Sequence, residues 1–187
     1  MKRVLAAKVA ILTILPIPNA AAQQPTAFSG LPNVSIEYYD VEGFTTEAIN
    51  ASLQAHALTM PTGEKAYGGT QYAFNYTFRR SLAKPCKVDA SVVFRARVIL
   101  PRLVNPTSVP EGILKRWQSF MTGLETHEAG HARIAFDQSS QIAAAIMTAG
   151  CGNERTSAEA AIMEIGPLQQ AYDARTRHGI TQGAELR

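Results

Sequence analysis

The sequence predicts an α+β domain in which a small antiparallel or mixed sheet packs against one long helix and a C-terminal helix. Three stretches of hydrophobic periodicity support this prediction. Residues 72–78 alternate aromatic with smaller side chains, which is the strongest strand pattern in the chain. Residues 87–100 are rich in valine and predict a second long strand. From residue 110 to about residue 148, apolar side chains instead recur every three or four positions, which indicates a helix.

Shorter elements are expected before the two long strands. Residues 34–41 alternate well enough to form a strand that Gly43 ends. Thr45 can cap a short helix over residues 46–56. The two long strands are expected to pair antiparallel around a turn at Ala83-Lys84-Pro85.

The second half of the chain contains glycines that the sequence explains in two ways. A continuous helix of roughly 40 residues is long for a globular domain, so Gly123 or Gly130 can mark a bend. Each glycine can equally allow another element to approach closely. Thr156 with Glu159 forms a capping box for a final helical region, which Gly166-Pro167 interrupts.

The N-terminus has the three parts of a secretory signal peptide. A basic start, an apolar run and three consecutive alanines predict a signal over residues 1–22, with cleavage near Ala22-Gln23. Residues 23–33 are polar and turn-rich and are expected to form a flexible lead-in. Residues 34–187 then form a single domain. We therefore expect a periplasmic or secreted protein.

Charge and hydropathy exclude several classes of partner. The formal net charge of +3 comes from Lys2, Arg3 and Lys8, which the predicted cleavage removes. The mature protein is then close to neutral, which argues against binding to nucleic acid or to an anionic membrane. No later apolar run approaches the roughly 18 residues of a transmembrane helix, so no membrane span is expected in the mature chain. The oligomeric state is left open.

Both cysteines, Cys86 and Cys151, lie in the predicted mature chain. An oxidising compartment favours their pairing. The bond would close a loop of about 65 residues and tie the sheet region to the end of the long helix. Two free buried thiols are the alternative.

The most informative motif is His127-Glu128-Ala129-Gly130-His131, which lies on the predicted long helix. Four residues along an α-helix amount to about 40° of rotation, so both imidazoles point the same way. Neutral imidazoles suit a tetrahedral Zn²⁺, and two ligands on one helix leave room for a third ligand and a water molecule. Glu128 lies at the rim of that face and can accept a proton from water without binding the metal. The motif therefore predicts one zinc ion per chain.

The position of the motif on the helix strengthens this prediction. His127 and His131 continue the stripe of residues that would face the core, which consists of Ile113, Trp117, Phe120, Leu124, Ile134, Gln138 and Ile142. Two imidazoles in that place need partners for their polar nitrogens, and a shared metal ion supplies one. The alternative is a pair of core histidines that are hydrogen-bonded to the backbone.

A catalytic zinc site normally has three protein ligands, so a third is expected outside the motif. Asp137, six residues after His131, would point about 100° away from the two rings on a continuous helix, and we expect it at the surface. His178 and Asp173 are better candidates, because Gly179 can end the C-terminal helix and release His178 toward the metal. We favour His178 as the ligand, with Asp173 orienting an imidazole, and the reverse assignment is left open.

Several of these features occur together in one bacterial family. They are the tyrosine-rich start with Gly43-Phe44-Thr45, the strand over residues 72–78, Trp117 ahead of the motif, the Cys86 and Cys151 pair, and the run Tyr-Asp-Ala-Arg-Thr-Arg-His-Gly over residues 172–179. Over most of the mature chain, the sequence resembles a family of unknown physiological role whose members are regarded as predicted secreted zinc-dependent proteases. It is also similar to the wider zincin group, in which a sheet edge over the motif helix holds a peptide substrate as an added strand. The resemblance implies a zincin-like arrangement, a zinc ion and a peptide or protein substrate.

Motif and resemblance together predict a secreted or periplasmic zinc-dependent peptidase with Glu128 as general base. Tyr172, or whichever of His178 and Asp173 does not bind the metal, is a candidate for stabilising the oxyanion. Tyr172 can also be an ordinary core residue. Two alternative functions keep the same metal site: a metal-stabilised binding or structural module of the cell envelope without catalysis, and a zinc amidase that acts on peptidoglycan.

Overall fold

The computed structural model describes residues 25–60, 63–81 and 84–187. The predicted signal peptide and its cleavage site lie outside the described residues, as does Ala83 of the predicted turn. The strands and helices, in chain order, are β1 (Val34–Val41), α1 (Thr46–His56), β2 (Leu58–Thr59), β3 (Lys65–Ala66), β4 (Gly69–Arg80), β5 (Val88–Leu103), α2 (Glu111–Asp137), α3 (Ser139–Thr148), α4 (Glu154–Met163) and α5 (Ile165–Thr176). Short 3₁₀ turns occur at Thr26–Phe28, Pro106–Ser108 and Ile180–Gln182.

The main sheet is mixed, with strand order β1-β5-β4. β4 and β5 pair antiparallel from Gly69 opposite Ile99 to Arg80 opposite Val88, as predicted. β1 lies parallel on the other side of β5. β5 continues past Pro101, where the sequence predicted its end. Pairing of β5 with β4 stops at Ile99, so within the described residues Pro101 pairs with β1 alone, and a residue without an N–H is tolerated there.

Helices cover one face of the sheet, which confirms the predicted α+β class. α2 and α3 pack on β4 and β5. The inward side chains of β5 and α3 form the centre of the core, and the buried ones are Phe94, Ala96, Val98, Leu100, Ile142 and Ile146. α1 packs on β1 through Ile49 and Leu53, and the Thr45 hydroxyl accepts a hydrogen bond from the Ala48 N–H at 3.2 Å, which confirms the predicted cap.

Residues 25–33, the described part of the flexible lead-in that we expected over residues 23–33, are packed against the domain. Phe28 is fully buried, Leu31 is buried, and the 3₁₀ turn around Phe28 lies against α2. Arg133 of α2 donates a hydrogen bond to the Ser29 carbonyl at 3.0 Å. The turn-forming residues of this segment therefore build an anchored turn, because two apolar side chains among them reach the core.

The long helix breaks at Gln138, and neither Gly123 nor Gly130 marks a bend. The break lets α3 pack against β5. It follows from this tertiary contact, and no glycine or proline at that point in the sequence indicates it. The two glycines instead allow close approach, the other role predicted for them. A Cβ on Gly123 would lie 2.3 Å from the carbonyl carbon of Gly183, and one on Gly130 would lie 2.0 Å from the Tyr172 hydroxyl.

A matched pair of substitutions in α2 tests this close approach. Gly123→Ala is expected to lower the free energy of unfolding by about 1–3 kcal/mol or more, because its methyl group would meet backbone atoms. Gly112→Ala has nothing within 4 Å of the new Cβ and is expected to be neutral or to stabilise by up to about 1 kcal/mol. Urea unfolding of both variants measures the difference, and equal effects would contradict the packing described for Gly123.

The predicted capping box at Thr156 and Glu159 is wrong, because α4 begins at Glu154 and Thr156 lies within its first turn. The buried Glu154 carboxylate forms a two-point ion pair with Arg80, with N–O distances of 2.6 and 2.8 Å, which holds the pKa of Glu154 near 2. This pair joins the start of α4 to the end of β4.

The next break falls at Glu164, before Gly166-Pro167, and Pro167 lies in the first turn of α5, where a missing N–H costs little.

A disulfide joins Cys86 to Cys151, with a Cα–Cα distance of 6.3 Å. It links the start of β5 to the loop after α3, as predicted. Structural disulfides persist in oxidising compartments and are rare in the cytosol, so the bond points to a location outside the cytoplasm. None of the described helices is long and apolar enough to cross a membrane.

Removal of the disulfide is expected to destabilise the protein substantially. The bond spans 65 residues, and a loop of that length corresponds to about 4 kcal/mol on the chain-entropy model. Urea unfolding of a Cys86→Ser, Cys151→Ser double variant against the oxidised wild type measures this difference. Equal unfolding free energies would show that the bond does not constrain the unfolded chain.

Candidate metal centre

Three potential metal ligands converge where α2 meets α5. His127 and His131 lie one turn apart on α2, and their Nε2 atoms are 3.2 Å apart. The Asp173 Oδ1 atom lies 3.3 Å from the His127 Nε2 and 3.0 Å from the His131 Nε2. Among the described residues, no other group of three or more His, Cys, Asp or Glu side chains converges in this way. The group is largely shielded from solvent, because His127 is buried and both other side chains are mostly covered.

The geometry of these three atoms fits a metal ion. Two ligands bound to zinc at about 2.1 Å and at the tetrahedral angle lie about 3.4 Å apart. All three observed separations are within a few tenths of an ångström of that value. Burial, and next the neighbouring His131, lowers the pKa of His127, so this imidazole stays neutral, as a ligand must. Imidazole nitrogen with one carboxylate oxygen is a donor set that zinc accepts.

Both imidazoles are held from behind through Nδ1. The His131 Nδ1 lies 2.6 Å from the side-chain oxygen of Gln169, on α5. The His127 Nδ1 lies 3.1 Å from the side-chain oxygen of Gln182, in the C-terminal 3₁₀ turn. The chain around Gly179 presses on the back of the His127 ring, because a Cβ on Gly179 would lie 3.0 Å from its Cγ. Motif, α5 and C-terminal turn therefore build the centre together.

Glu128 is buried beside this group, under the beginning of β4. The Thr70 hydroxyl donates to the Glu128 carboxylate at 2.8 Å. Gly68 leaves the space for that carboxylate, since a Cβ there would lie 2.8 Å from its Oε1. Burial raises the pKa of Glu128 to about 7, and the hydrogen bond from Thr70 opposes the rise. A carboxyl group with a pKa near neutrality is suited to accept and release a proton.

The raised pKa predicts a pH-dependent stability of the metal-free protein. The pKa of Glu128 is about 7 in the folded state against 4.5 without the fold. The contribution of this group to stability is therefore complete below about pH 4.5 and is lost as the pH rises through about 7. The unfolding free energy of the wild type, relative to Glu128→Gln, should fall by about 3 kcal/mol over this interval. Urea unfolding from pH 4 to pH 8 with chelator measures it, and a constant difference would contradict the raised pKa.

The structure brings Asp173 to the two histidines and leaves His178, our preferred third ligand, outside the group. The His178 side chain is 71 % exposed, and its Nδ1 lies 3.8 Å from the Asp173 Oδ1. The reason is the end of α5, which stops at Thr176, with Arg177 and His178 both at positive φ. The geometry thus favours the reverse assignment that the sequence left open. Asp137 is exposed at the end of α2, as expected.

Tyr172 supports the centre from the side of α5. Its ring stacks on the His127 ring, with centroids 5.2 Å apart, and meets the His131 ring edge-on. Its buried hydroxyl donates to the His127 carbonyl at 3.2 Å. The hydroxyl therefore lies against the backbone of α2 behind the motif. This placement fits the core-packing alternative for Tyr172 and differs from the oxyanion role that we also considered.

Three residues of the centre were absent from the sequence-based prediction: Thr70, Gln169 and Gln182. Gln169 had a usable signal, because it lies one turn before Asp173 on the same helix and shares its face. Thr70 lies in β4 but two residues before the strand predicted over residues 72–78, and nothing local indicates that β4 begins over Glu128. Gln182 follows a chain reversal at Gly179 and had no signal of its own.

Comparison with known protein families assigns the chain to one of them. The family model described as "Bacterial protein of unknown function (DUF922)" matches residues 36–179, from β1 through the end of α5. The chain belongs to the DUF922 family. No curated protein and no solved structure matches it. The region shared with DUF922 contains Glu128, the three converging ligands and Gln169, whereas Gln182 follows it. The expected membership of a bacterial family of unknown role is thus confirmed, and zinc-dependent proteolysis stays a prediction.

Proposed function

We propose that this DUF922 protein is a zincin-like, zinc-dependent peptidase that works in the periplasm or outside the cell. One observation carries the proposal: three acceptor atoms converge within 3.3 Å of one another beside the buried Glu128 carboxylate. Acceptors that crowd together in a shielded place repel one another unless a cation or protons lie between them. A single zinc ion on His127, His131 and Asp173 resolves this repulsion and leaves a fourth position for water or substrate.

Each residue around the centre has a separate role in the proposed hydrolysis of a peptide bond. When bound, a zinc ion in such a site lowers the pKa of water and polarises a carbonyl group. Glu128 accepts the proton of the attacking water and passes it to the leaving amine. The hydrogen bond from Thr70 holds the Glu128 carboxylate in one orientation. Burial keeps bulk water away from that proton.

His178 is the candidate for stabilising the oxyanion. Its exposed ring stands at the rim of the centre, with Nδ1 3.8 Å from the Asp173 carboxylate. The Tyr172 hydroxyl is already bonded to the His127 carbonyl, so it is not free for this role. A histidine at the rim can donate a hydrogen bond to the substrate oxygen as negative charge develops there.

The sheet favours an extended peptide as the substrate. β4 is an edge strand of the described sheet, and its first residues lie directly over Glu128. An extended chain that added to this edge would bring its main chain past the centre, a recognised mode of peptide binding. The disulfide agrees with a substrate met outside the cytoplasm.

Hydrolysis assays with the mature, zinc-loaded protein test the proposal. We expect cleavage of an unbiased peptide library, loss of cleavage on chelation and recovery on addition of zinc. Turnover of peptidoglycan fragments without cleavage of peptides would replace the proposal with a zinc amidase. Bound zinc without turnover of either substrate class would indicate a metal-stabilised binding module, and lack of zinc binding would contradict the proposal altogether.

A further inference from the structure

The side-chain amide of Gln169 can take only one orientation. Its Nε2 donates to the His131 carbonyl at 3.1 Å. A flipped amide would place oxygen against that carbonyl, so Oε1 must face the His131 Nδ1, 2.6 Å away. Because an amide oxygen can only accept, the proton of this hydrogen bond belongs to Nδ1. Gln169 thus donates to the backbone carbonyl of His131 and accepts from the ring of the same residue, which fixes the tautomer of that ring.

A chain of two hydrogen bonds orients Gln182 in the same way. The Tyr172 hydroxyl donates to the His127 carbonyl at 3.2 Å, which is nearer than its other possible acceptor, the Gln182 Oε1 at 3.4 Å, and it accepts from the Gln182 Nε2 at 3.0 Å. The Gln182 Oε1 is left facing the His127 Nδ1 at 3.1 Å, so that nitrogen also carries a proton. For each ring, a backbone carbonyl of α2 accepts a hydrogen bond that fixes the orientation of the glutamine amide, and the amide orientation places the ring proton on Nδ1.

We propose that Gln169 and Gln182 are positioning residues that hold both motif imidazoles in the Nδ1–H form and so present two Nε2 lone pairs to the metal. The inference rests on the proposed zinc site for its role but concerns the protein without metal. Free neutral histidine in water favours the opposite tautomer, in which a proton blocks Nε2. The glutamines remove the need to move that proton before each ring can bind.

The neutral charge of the two amides matters as well. A carboxylate would accept the same hydrogen bond from Nδ1, but it would add negative charge and strengthen the imidazole as a ligand. With glutamines, Asp173 is the only anion among the three ligands. Gln169→Glu should therefore keep the tautomer of His131 and bind zinc at least as tightly as the wild type, whereas Gln169→Leu removes the acceptor.

Ring-nitrogen NMR of the metal-free protein tests the tautomer directly. The Asp173 Oδ1, 3.3 Å from the His127 Nε2 and 3.0 Å from the His131 Nε2, is the acceptor that competes for the ring protons when no metal is bound. With histidines labelled with ¹⁵N, and at a pH where the ring signals no longer move, His127 and His131 should still show a protonated Nδ1 and a bare Nε2. Protonated Nε2 atoms in the wild type would overturn the inference. Gln169→Leu should shift His131 toward Nε2–H, and Gln182→Leu should do the same for His127. Gln170→Leu, an exposed neighbour on α5, is the matched control and should change neither ring. Unchanged tautomers in both leucine variants would overturn the inference.

Zinc affinity, measured by competition with a chromophoric chelator, supplies the second readout. Each leucine variant should bind zinc about 10–100-fold more weakly, and Gln169→Glu should restore the affinity lost in Gln169→Leu. Wild-type affinity in both leucine variants would contradict the positioning role even if zinc binding itself is confirmed. Failure of the wild type to bind zinc, with both Nδ1–H tautomers present, would contradict the proposed function and still support the control of the tautomers.

Discussion

Glu128→Gln is expected to reduce peptide hydrolysis by at least the factor of about 10²–10⁴ that general-base catalysis contributes. Glutamine has nearly the same shape and can still accept the hydrogen bond from Thr70, but it cannot take a proton from water. The three metal ligands are untouched, so bound zinc should stay at the wild-type level. Steady-state kcat/KM on the best library peptide and zinc content of the same sample measure the two effects together.

Glu125→Gln is the matched control for this variant. Glu125 lies on the same helix one turn earlier, is partly buried, and also has a pKa that burial raises, but it is not one of the converging groups. We expect wild-type kcat/KM for it. Hydrolysis by Glu128→Gln at the wild-type rate would remove Glu128 from the chemistry and leave the motif without a base.

Asp173→Asn is expected to cost more zinc affinity than the 10–100-fold that loss of an outer partner typically costs. The substitution keeps the volume of the side chain but replaces the anionic oxygen between the two histidines with a neutral amide. The side chain is partly exposed, so the fold should survive. Competition titration with a chelator measures the affinity, and thermal unfolding checks that the variant is folded.

His178→Ala separates the two candidate ligands. We expect it to bind zinc like the wild type, because its ring is exposed and lies outside the converging group, and to lose kcat if it stabilises the oxyanion. Asp137→Asn, an exposed carboxylate at the end of α2, should change neither property. Loss of zinc from His178→Ala with retention by Asp173→Asn would reverse the assignment drawn from the structure.

The sequence predicts those parts of the centre that lie on one element. His127, Glu128 and His131 are spaced along a single helix, so the rotation per residue alone brings the rings together. The paired strands β4 and β5 were also predictable, because burial of one sheet face imposes an alternating pattern on residues 72–78. In both cases the periodicity of a single helix or strand is enough to predict which side chains share a face.

The remaining parts depend on contacts between distant segments, which a local pattern does not encode. His178 was expected beside the two motif histidines because Gly179 could release it inward, whereas the chain already turns left-handed at Arg177 and leaves the His178 ring exposed. The helix breaks at Gln138 because α3 packs on β5. The start of α4 at Glu154 coincides with its ion pair to Arg80, 74 residues earlier in the chain. Each of these features depends on the packing of two elements that are distant in the sequence.

The most direct test of the metal centre is the position of zinc in crystals of the mature protein grown with the metal, located by anomalous scattering at the zinc edge. We predict one ion, about 2.0–2.2 Å from the Nε2 atoms of His127 and His131 and from a carboxylate oxygen of Asp173. An ion bound to the two histidines and His178 would contradict the ligand set. No ion between the histidines, with zinc present in excess, would contradict the metal centre itself.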